Sequence, residues 1–163
     1  MFINQTINNM SELTVGAKAP EFSAKDQNGQ AIQLSDFKGK KVILYFYPKD
    51  NTPGCTAEAC NLKDNYASLT KKGFAVIGVS ADSEKSHQGF IEKYELPFKL
   101  IADTDKQVLK LYGAWGEKKM YGKSYEGIIR KTFIISETGV IEHIFEKVDT
   151  KNHTDQILKA LEK

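Results

Sequence analysis

The sequence has little cysteine and no long apolar run. Cys55 and Cys60 are its two cysteines, whereas secreted domains stapled by disulfides carry more, spread along the chain. No run approaches the roughly 18 apolar residues of a membrane span. The N-terminus has no Lys or Arg before Lys18 and no apolar core of a signal peptide. We therefore expect a cytoplasmic protein that does not bind a membrane.

An excess of charge of one sign is also lacking. The 23 basic and 21 acidic residues are mixed along the chain and give a net charge of +2, with no basic stripe. Nucleic acid and anionic membranes are therefore poor candidate partners. The 163 residues fit one domain, expected over residues 11–163, and the polar, Asn-rich residues 1–10 are expected to form a flexible extension.

Hydrophobic patterning predicts a series of alternating strands and helices. Residues alternate in polarity around Asn28-Gly29, which is a strong signal for a β-hairpin. The apolar runs at 41–47 and 74–79 are typical of strands buried on both faces. Further predicted elements are helices at 55–71, 83–94 (with Ser83 as N-cap), 106–112 and 154–161, strands at 98–101, 128–135 and 140–145, and a loose stretch at 113–126.

This order of elements predicts an α/β class protein with a thioredoxin-like fold. Such a fold has a mixed central sheet flanked by helices on both faces, here with an N-terminal β-hairpin. The closing pair of strands makes the sheet mixed. Other α/β sandwiches share the early part of this order.

The segment from Pro48 to Cys55 lies where a buried strand is predicted to end and a helix to begin, an edge at which open α/β sheets bind ligands. Unpaired backbone N–H groups and the helix dipole there lower the pKa of a cysteine below its free value of about 8.5, which favours the reactive thiolate. The Thr52 hydroxyl is predicted to cap the helix and to face whatever approaches the sulfur. Pro53 takes a typical first-turn position. Each residue alone is common at helix starts, so a capped helix with a buried cysteine is the alternative explanation.

The pattern Pro-x-x-x-Thr-x-x-Cys at a strand-to-helix junction resembles the active-site signature of the peroxiredoxins. The fuller string YFYPKDNTPGCTAEACNLKD resembles the bacterioferritin-comigratory or peroxiredoxin Q branch of that family. The similarity covers most of the chain, because APEFSAKDQNGQ, VIGVSADS and GIIRKTFIIS follow the family order around it. The core motif alone recurs by chance, and the flanking segments make the match specific.

The resemblance implies that Cys55 is the peroxidatic cysteine, which attacks a hydroperoxide and becomes a sulfenic acid. Pro48 would shield that sulfenate, and Thr52 would orient the substrate. Arg130, within the strand predicted at 128–135, matches the active-site arginine of the family and would stabilise the thiolate and the leaving oxygen. The alternative for Arg130 is a surface salt bridge, which its apolar neighbours disfavour.

Glu58 follows Cys55 by one helical turn, where members of the family often have Glu or Gln. We therefore treat it as a candidate supporting residue of the site. Its alternative role is an exposed carboxylate near the positive end of the helix dipole.

Cys60 follows Cys55 by five residues on the same predicted helix. In an ideal helix, their Cα atoms would be roughly 8–9 Å apart, beyond the disulfide limit of about 7 Å. If Cys60 resolves the Cys55 sulfenate, as the cysteine spacing of this branch implies, the first turns of the helix must unwind. The disulfide would then be reduced by a dithiol partner, thioredoxin by analogy with the family. The alternative is a one-cysteine enzyme with a small buried Cys60 and an outside resolving thiol.

Two rival functions use the same cysteines. A thiol–disulfide oxidoreductase would carry Cys-x-x-Cys, but Thr52 stands where its first cysteine would be. A metal module could add His87, His143 and His153 to the two cysteines, yet no pair has zinc-type spacing, and solvated surface positions fit these histidines better.

A binding protein that uses Trp115 and Tyr121 on the loose stretch is a third rival, although it would leave the cysteine motif without purpose. Those aromatic residues could equally line a peroxide pocket or pack in the core. Phosphate-loop and dinucleotide signatures are absent, and peroxiredoxin chemistry needs no cofactor and no metal. The expected partners are a hydroperoxide and a dithiol reductant, and the expected state is a monomer.

Overall fold

A five-stranded mixed sheet forms the centre of the protein in the computed structural model, which describes residues 13–162. The predicted flexible extension at residues 1–10 lies outside the described residues, and the single domain over 11–163 stays a prediction. The strands are β1 Ser23–Lys25, β2 Ala31–Gln33, β3 Lys41–Phe46, β4 Phe74–Ser80, β5 Lys99–Ala102, β6 Trp115–Met120, β7 Lys123–Ile128, β8 Lys131–Ile135 and β9 Ile141–Phe145. The helices are α1 Pro53–Asp64, α2 Tyr66–Lys71, α3 Glu84–Tyr94, α4 Gln107–Leu111 and α5 His153–Leu161, with a short 3-10 helix at Leu34–Phe37.

The central sheet has the order β5-β4-β3-β8-β9, with β3, β4 and β5 parallel and β8 and β9 antiparallel to their neighbours. The predicted mixed sheet is confirmed. Alternate residues of β3 point to opposite faces, so Val42 and Leu44 join one apolar core while Ile43 and Tyr45 join the other. Helices α1, α2, α3 and α5 cover the second face, and α4 covers the first together with the β1–β2 hairpin.

The β1–β2 hairpin confirms the signal at Asn28-Gly29. Ala24 pairs with Ile32, and the Asp26 carboxylate accepts the backbone N–H groups of Asn28 and Gln30, which closes the turn. Gly29 has a φ of 75°, a conformation that glycine adopts without steric cost.

The helix predicted at 55–71 is wrong in its continuity. It begins at Pro53, as the first-turn proline suggested, but ends at Asp64, and a second helix starts at Tyr66. Asn65 between them has non-helical angles, and its side-chain amide donates to the carbonyl of Asn61. The carbonyl of Asn61 thus accepts both the backbone N–H and the side-chain amide of Asn65, a local side-chain bond that accompanies the break.

The loose stretch predicted at 113–126 is also wrong, because it forms the β6–β7 hairpin. Its strands are mostly polar and β7 is largely exposed, so the sequence lacks the apolar alternation that marks a half-buried strand. Tyr121 and Gly122 have φ values of 54° and 78°, the backbone that a two-residue hairpin turn requires.

The strand predicted at 128–135 is two strands. β7 ends at Ile128 and β8 starts at Lys131, so Arg130 lies in the connection rather than within a strand. The backbone N–H of Ile129 donates to the carbonyl of Ala114, which turns the chain at this point. Among residues 13–162, none of the helices has the length and hydropathy to cross a membrane.

Candidate active site

Cys55 lies in the first turn of α1, directly beyond the carboxyl end of the central strand β3. The first four backbone N–H groups of a helix have no intrahelical acceptor and, with the helix dipole, favour an anion. The side chain is 1% exposed, so little water competes for its sulfur. This position confirms the predicted placement of Cys55 at a helix N-terminus.

Arg130 reaches this sulfur from the β7–β8 connection. Its Nη2 donates to Cys55 Sγ at 3.2 Å, and its Nη1 donates to Glu58 Oε1 at 2.6 Å. Arg130 therefore contacts both side chains with one planar guanidinium, as a fork-shaped donor can. Burial lowers the pKa of Arg130, but Glu58 and Cys55 together outweigh burial and raise it, so the cation is retained.

Glu58 is fully buried, not exposed as its alternative role would require. Burial raises the pKa of Glu58 to about 7, and the charge and hydrogen bond of Arg130 oppose that rise. Its Oε2 has no hydrogen-bond partner among the described residues and lies 3.6 Å from His153 Nε2. Burial lowers the pKa of His153 to about 4, so the ring is neutral near pH 7.

Thr52 is the N-cap residue of α1 by its backbone, whose carbonyl accepts the N–H of Thr56. The predicted side-chain cap is wrong, because the Thr52 hydroxyl donates to the carbonyl of Lys49 at 2.9 Å instead. That bond uses the hydroxyl proton and leaves the oxygen lone pairs free to accept. Pro48 is half-buried and lies two residues after the end of β3, at the start of the same loop.

Asp50 fixes the loop between Pro48 and Cys55 to helix α3. Its Oδ1 accepts the hydroxyl of Tyr47 at 2.6 Å, and its Oδ2 accepts Ser86 Oγ–H at 2.8 Å and contacts His87 Nδ1 at 2.7 Å. The Asp50 backbone N–H donates to Asp82 Oδ2. A buried carboxylate with this many partners holds the loop in one conformation.

The predicted surface positions of the histidines are wrong for two of them. His87 and His153 are both fully buried, and His143 is half-buried. His87 Nε2 lies 2.9 Å from the carbonyl of Ile101, which can only accept, so this nitrogen carries a proton. Burial at these two positions is possible because each ring nitrogen has a polar partner.

Among the described residues, the group that could hold a metal ion is Asp50, Asp82 and His87, whose ligand atoms lie within 4.8 Å of one another. Neither cysteine belongs to this group, so the structure does not assemble the cysteine–histidine site of the rival metal module. The Asp82 carboxylate also accepts the hydroxyl of Ser80 at 2.7 Å. Hydrogen bonds within the protein thus already occupy both carboxylate oxygens of Asp50 and Oδ2 of Asp82.

Cys60 is half-buried on the same unbroken helix as Cys55, and both cysteines are free. The two aromatic residues left open by the sequence have separate positions. Trp115 packs partly buried against the core under the Lys106 ammonium, and Tyr121 is 96% exposed at the tip of its hairpin. Tyr121 therefore does not line a pocket.

Sequence reasoning missed His87, His153 and Asp50. His87 does carry a usable signal, since it lies three residues before Phe90 and seven before Tyr94, on the apolar stripe of α3. A second unused signal is that Arg130 is the only arginine in the sequence, with every other basic residue a lysine. His153 has no comparable signal, because its partners Glu58 and Thr132 are distant in sequence.

Comparison with known proteins gives one consistent result. Residues 15–144 match the AhpC/TSA family. The chain is 48% identical over 149 residues to the putative peroxiredoxin bcp of Coxiella burnetii, covering 91% of this chain and 99% of that protein. It is 47% identical over 152 residues to peroxiredoxin Bcp of Escherichia coli K12, covering 93% and 97%. The solved structure of Xanthomonas campestris peroxiredoxin Q superposes with a TM-score of 0.81 at 36% identity, covering 86% and 89%.

Proposed function

Since the chain belongs to the AhpC/TSA family and is a peroxiredoxin of the Bcp/peroxiredoxin Q branch, a thiol peroxidase on a thioredoxin-like fold, we propose that Cys55 is its peroxidatic residue. In this proposal, Arg130 and Thr52 bind the peroxide, Pro48 shields the sulfur, and Glu58 supports Arg130. Cys60 resolves the oxidised Cys55.

The contact between Arg130 Nη2 and Cys55 Sγ at 3.2 Å carries this proposal. A guanidinium in a site from which water is largely excluded stabilises a thiolate far more than it would in water. The same cation stabilises negative charge that develops on the leaving oxygen of the peroxide. The Arg130 side chain is half-buried, 23% exposed, so it contacts both the buried sulfur and the solvent from which the substrate comes.

The first chemical step transfers one oxygen atom to sulfur. The Cys55 thiolate attacks one peroxide oxygen, the S–O bond forms and the O–O bond breaks. Sulfur is oxidised by two electrons to the sulfenic acid, and the peroxide is reduced to an alkoxide or hydroxide that takes up a proton as alcohol or water. The lone pairs of the Thr52 hydroxyl, free because its proton is donated to Lys49, are suited to accept the O–H of the hydroperoxide.

The second step closes a disulfide. The Cys60 sulfur attacks the sulfenic sulfur, the S–S bond forms, and the hydroxyl leaves as water with the proton of the Cys60 thiol. Both cysteines lie on the unbroken helix α1. Residues five apart in a helix have Cα atoms roughly 8–9 Å from each other, which is too far for a disulfide. The first turns of α1 therefore unwind in this step.

The final step needs a dithiol, which donates two electrons and two protons and regenerates both thiols. Thioredoxin or a similar protein fits this role by analogy with the family. We place the enzyme in the cytoplasm, where such reductants keep thiols reduced. A monomer suffices for this cycle because both cysteines come from one chain.

The test is peroxide consumption with thioredoxin, thioredoxin reductase and NADPH. We expect Cys55→Ser to abolish turnover, and Cys60→Ser to consume about one equivalent of peroxide and then stop. Thr56→Ser, a conservative change on the same helix, serves as the matched control and should keep full turnover. Rapid turnover by Cys55→Ser would contradict the proposal. Undiminished turnover by Cys60→Ser would show that a thiol from another molecule, and not Cys60, resolves the Cys55 sulfenic acid.

A further inference from the structure

The side-chain amide of Gln156 has a fixed orientation. The backbone N–H of Asp149 donates to Gln156 Oε1 at 2.9 Å, and Gln156 Nε2 donates to the carbonyl of Lys147 at 2.7 Å. Exchanging the oxygen and nitrogen of this amide would place donor against donor and acceptor against acceptor. Oε1 is therefore an acceptor toward its third neighbour, His153.

This orientation decides the tautomer of His153. Its Nδ1 lies 2.8 Å from Gln156 Oε1, so Nδ1 carries the proton and donates. In the neutral ring, Nε2 is then an unprotonated acceptor. The hydroxyl of Thr132, 2.9 Å away, can donate to it. Burial lowers the pKa of His153 to about 4, so the ring stays neutral throughout the physiological range.

Glu58 turns a carboxyl oxygen toward this acceptor. Its Oε1 accepts from Arg130, and its Oε2, fully buried and without a hydrogen-bond partner, lies 3.6 Å from His153 Nε2. An ionised Oε2 would face a lone pair with no donor between them. A proton on Oε2 removes that conflict, because a neutral Oε2 is not repelled by the Nε2 lone pair, and Oε1 still accepts from Arg130.

We propose that His153, held by Gln156 as the Nδ1–H tautomer, is a positioning residue that keeps Glu58 protonated on Oε2, which leaves the charge of Arg130 to the Cys55 thiolate. An ionised Glu58 would share that guanidinium and place a second negative charge beside the sulfur. The inference rests on the proposed role of Cys55, and it assigns to His153 a function that acts through Glu58.

Other charged and titratable groups face this pair. Arg130 faces Glu58 from the β7–β8 connection, Cys55 from its own helix, and Tyr45 from β3, where burial, Glu58 and Cys55 all raise the pKa of the phenol. Asp149 faces His153 from the segment before α5 and opposes the fall in the pKa of His153. Burial raises the pKa of Glu58 itself to about 7, within the physiological range.

The first test titrates the Cys55 thiolate by its ultraviolet absorbance in the Cys60→Ser protein, with no peroxide or reductant. His153→Gln supplies an amide donor to Oε2, and Gln156→Leu frees the ring to protonate Nε2, so both favour ionised Glu58. We expect each to move the thiolate titration to higher pH by about one unit. Glu58→Gln mimics the protonated carboxyl, and in that background neither change should move the titration.

An equal shift in the Glu58→Gln background would overturn the proposal, because His153 would then act without Glu58. The second test needs no His153 variant. Infrared difference spectroscopy at about pH 6 should show the C=O band of a neutral carboxyl that disappears in Glu58→Gln, and its absence would overturn the proposal as well. Both tests are independent of turnover, so a failed peroxidase assay with Cys55→Ser would be distinguished from a failure here.

Discussion

Asn61 Oδ1 accepts the backbone N–H of Thr154 at 2.8 Å, which fastens the helix carrying both cysteines to the C-terminal helix. The amide of the same side chain donates to the carbonyl of Lys151 at 2.9 Å. Asn61 follows Cys60 directly, so the turn that would open in the proposed cycle lies next to these bonds. In the proposed cycle, they stabilise the helical, reduced form against the disulfide form.

Asn61→Ala should therefore favour the disulfide. Loss of these bonds, at about 1 kcal/mol each, removes stability from the helical form and raises the equilibrium constant for Cys55–Cys60 oxidation by about tenfold or more. The measurement is the disulfide fraction in glutathione buffers of set composition. Asp64→Ala, an exposed change on the same helix, should leave that fraction unaltered. If the two variants have the same disulfide fraction, the contact with α5 does not restrain the opening of α1.

Arg130→Met should slow the reaction of Cys55 with hydrogen peroxide by about 100-fold to 1,000-fold, since the thiolate and the leaving oxygen lose their cationic donor. Stopped-flow measurement of thiol loss in the Cys60→Ser background gives this rate without the later steps. Lys131→Met, one residue along the chain, removes the same charge at a position that does not touch the sulfur and should change the rate little. A similar fall in the reaction rate of both variants would show that only the net charge of the protein matters, and not the contact of Arg130 with the sulfur.

Glu58→Gln should change how stability depends on pH. The folded-state pKa of Glu58, about 7, lies above the usual 4.5, so its contribution to stability is present below pH 4.5 and is lost as pH rises through 7. Glutamine does not titrate. Between about pH 5 and pH 8, the free energy of unfolding of Glu58→Gln should gain about 2 to 3 kcal/mol relative to the parent protein. Urea unfolding at both values measures this, and a constant difference would contradict a raised pKa.

Asp50→Ala should destabilise the protein by about 3 to 5 kcal/mol, because the change leaves the hydroxyls of Tyr47 and Ser86 without their buried acceptor and removes the buried partner of His87 Nδ1. Asp155→Ala, an exposed carboxylate on α5, should cost less than about 1 kcal/mol. Urea unfolding of both variants gives the comparison. A similar small loss in both would mean that Asp50 does not anchor the active-site loop.

The sequence predicted the parts of the fold that depend on local pattern. Asn28-Gly29 marks its hairpin, and the apolar run before Pro48 marks the central strand. The break at Asn65 coincides with a side-chain hydrogen bond to Asn61, and hydrophobic periodicity does not report such a bond. The exposed β6–β7 hairpin has little apolar alternation, so the pattern indicated a loop there.

The residues of the candidate site also divide into those that local sequence predicts and those that depend on the fold. Pro48, Thr52 and Cys55 lie within one short segment, so the sequence alone brings them together. Arg130 was found through resemblance, but its contact with Cys55 spans 75 positions and required the fold. His153 could not be found, because a histidine buried by distant partners has the same local sequence as one in solvent.

The most direct test of the central claim is mass spectrometry of the reduced Cys60→Ser protein after one equivalent of hydrogen peroxide. If Arg130 holds Cys55 as the reactive thiolate, the protein gains a single oxygen atom. A reagent specific for sulfenic acids should label the peptide that contains Cys55, and Arg130→Met should slow the appearance of this product. Oxidation of a methionine in preference to Cys55, or an equal rate in Arg130→Met, would contradict the account.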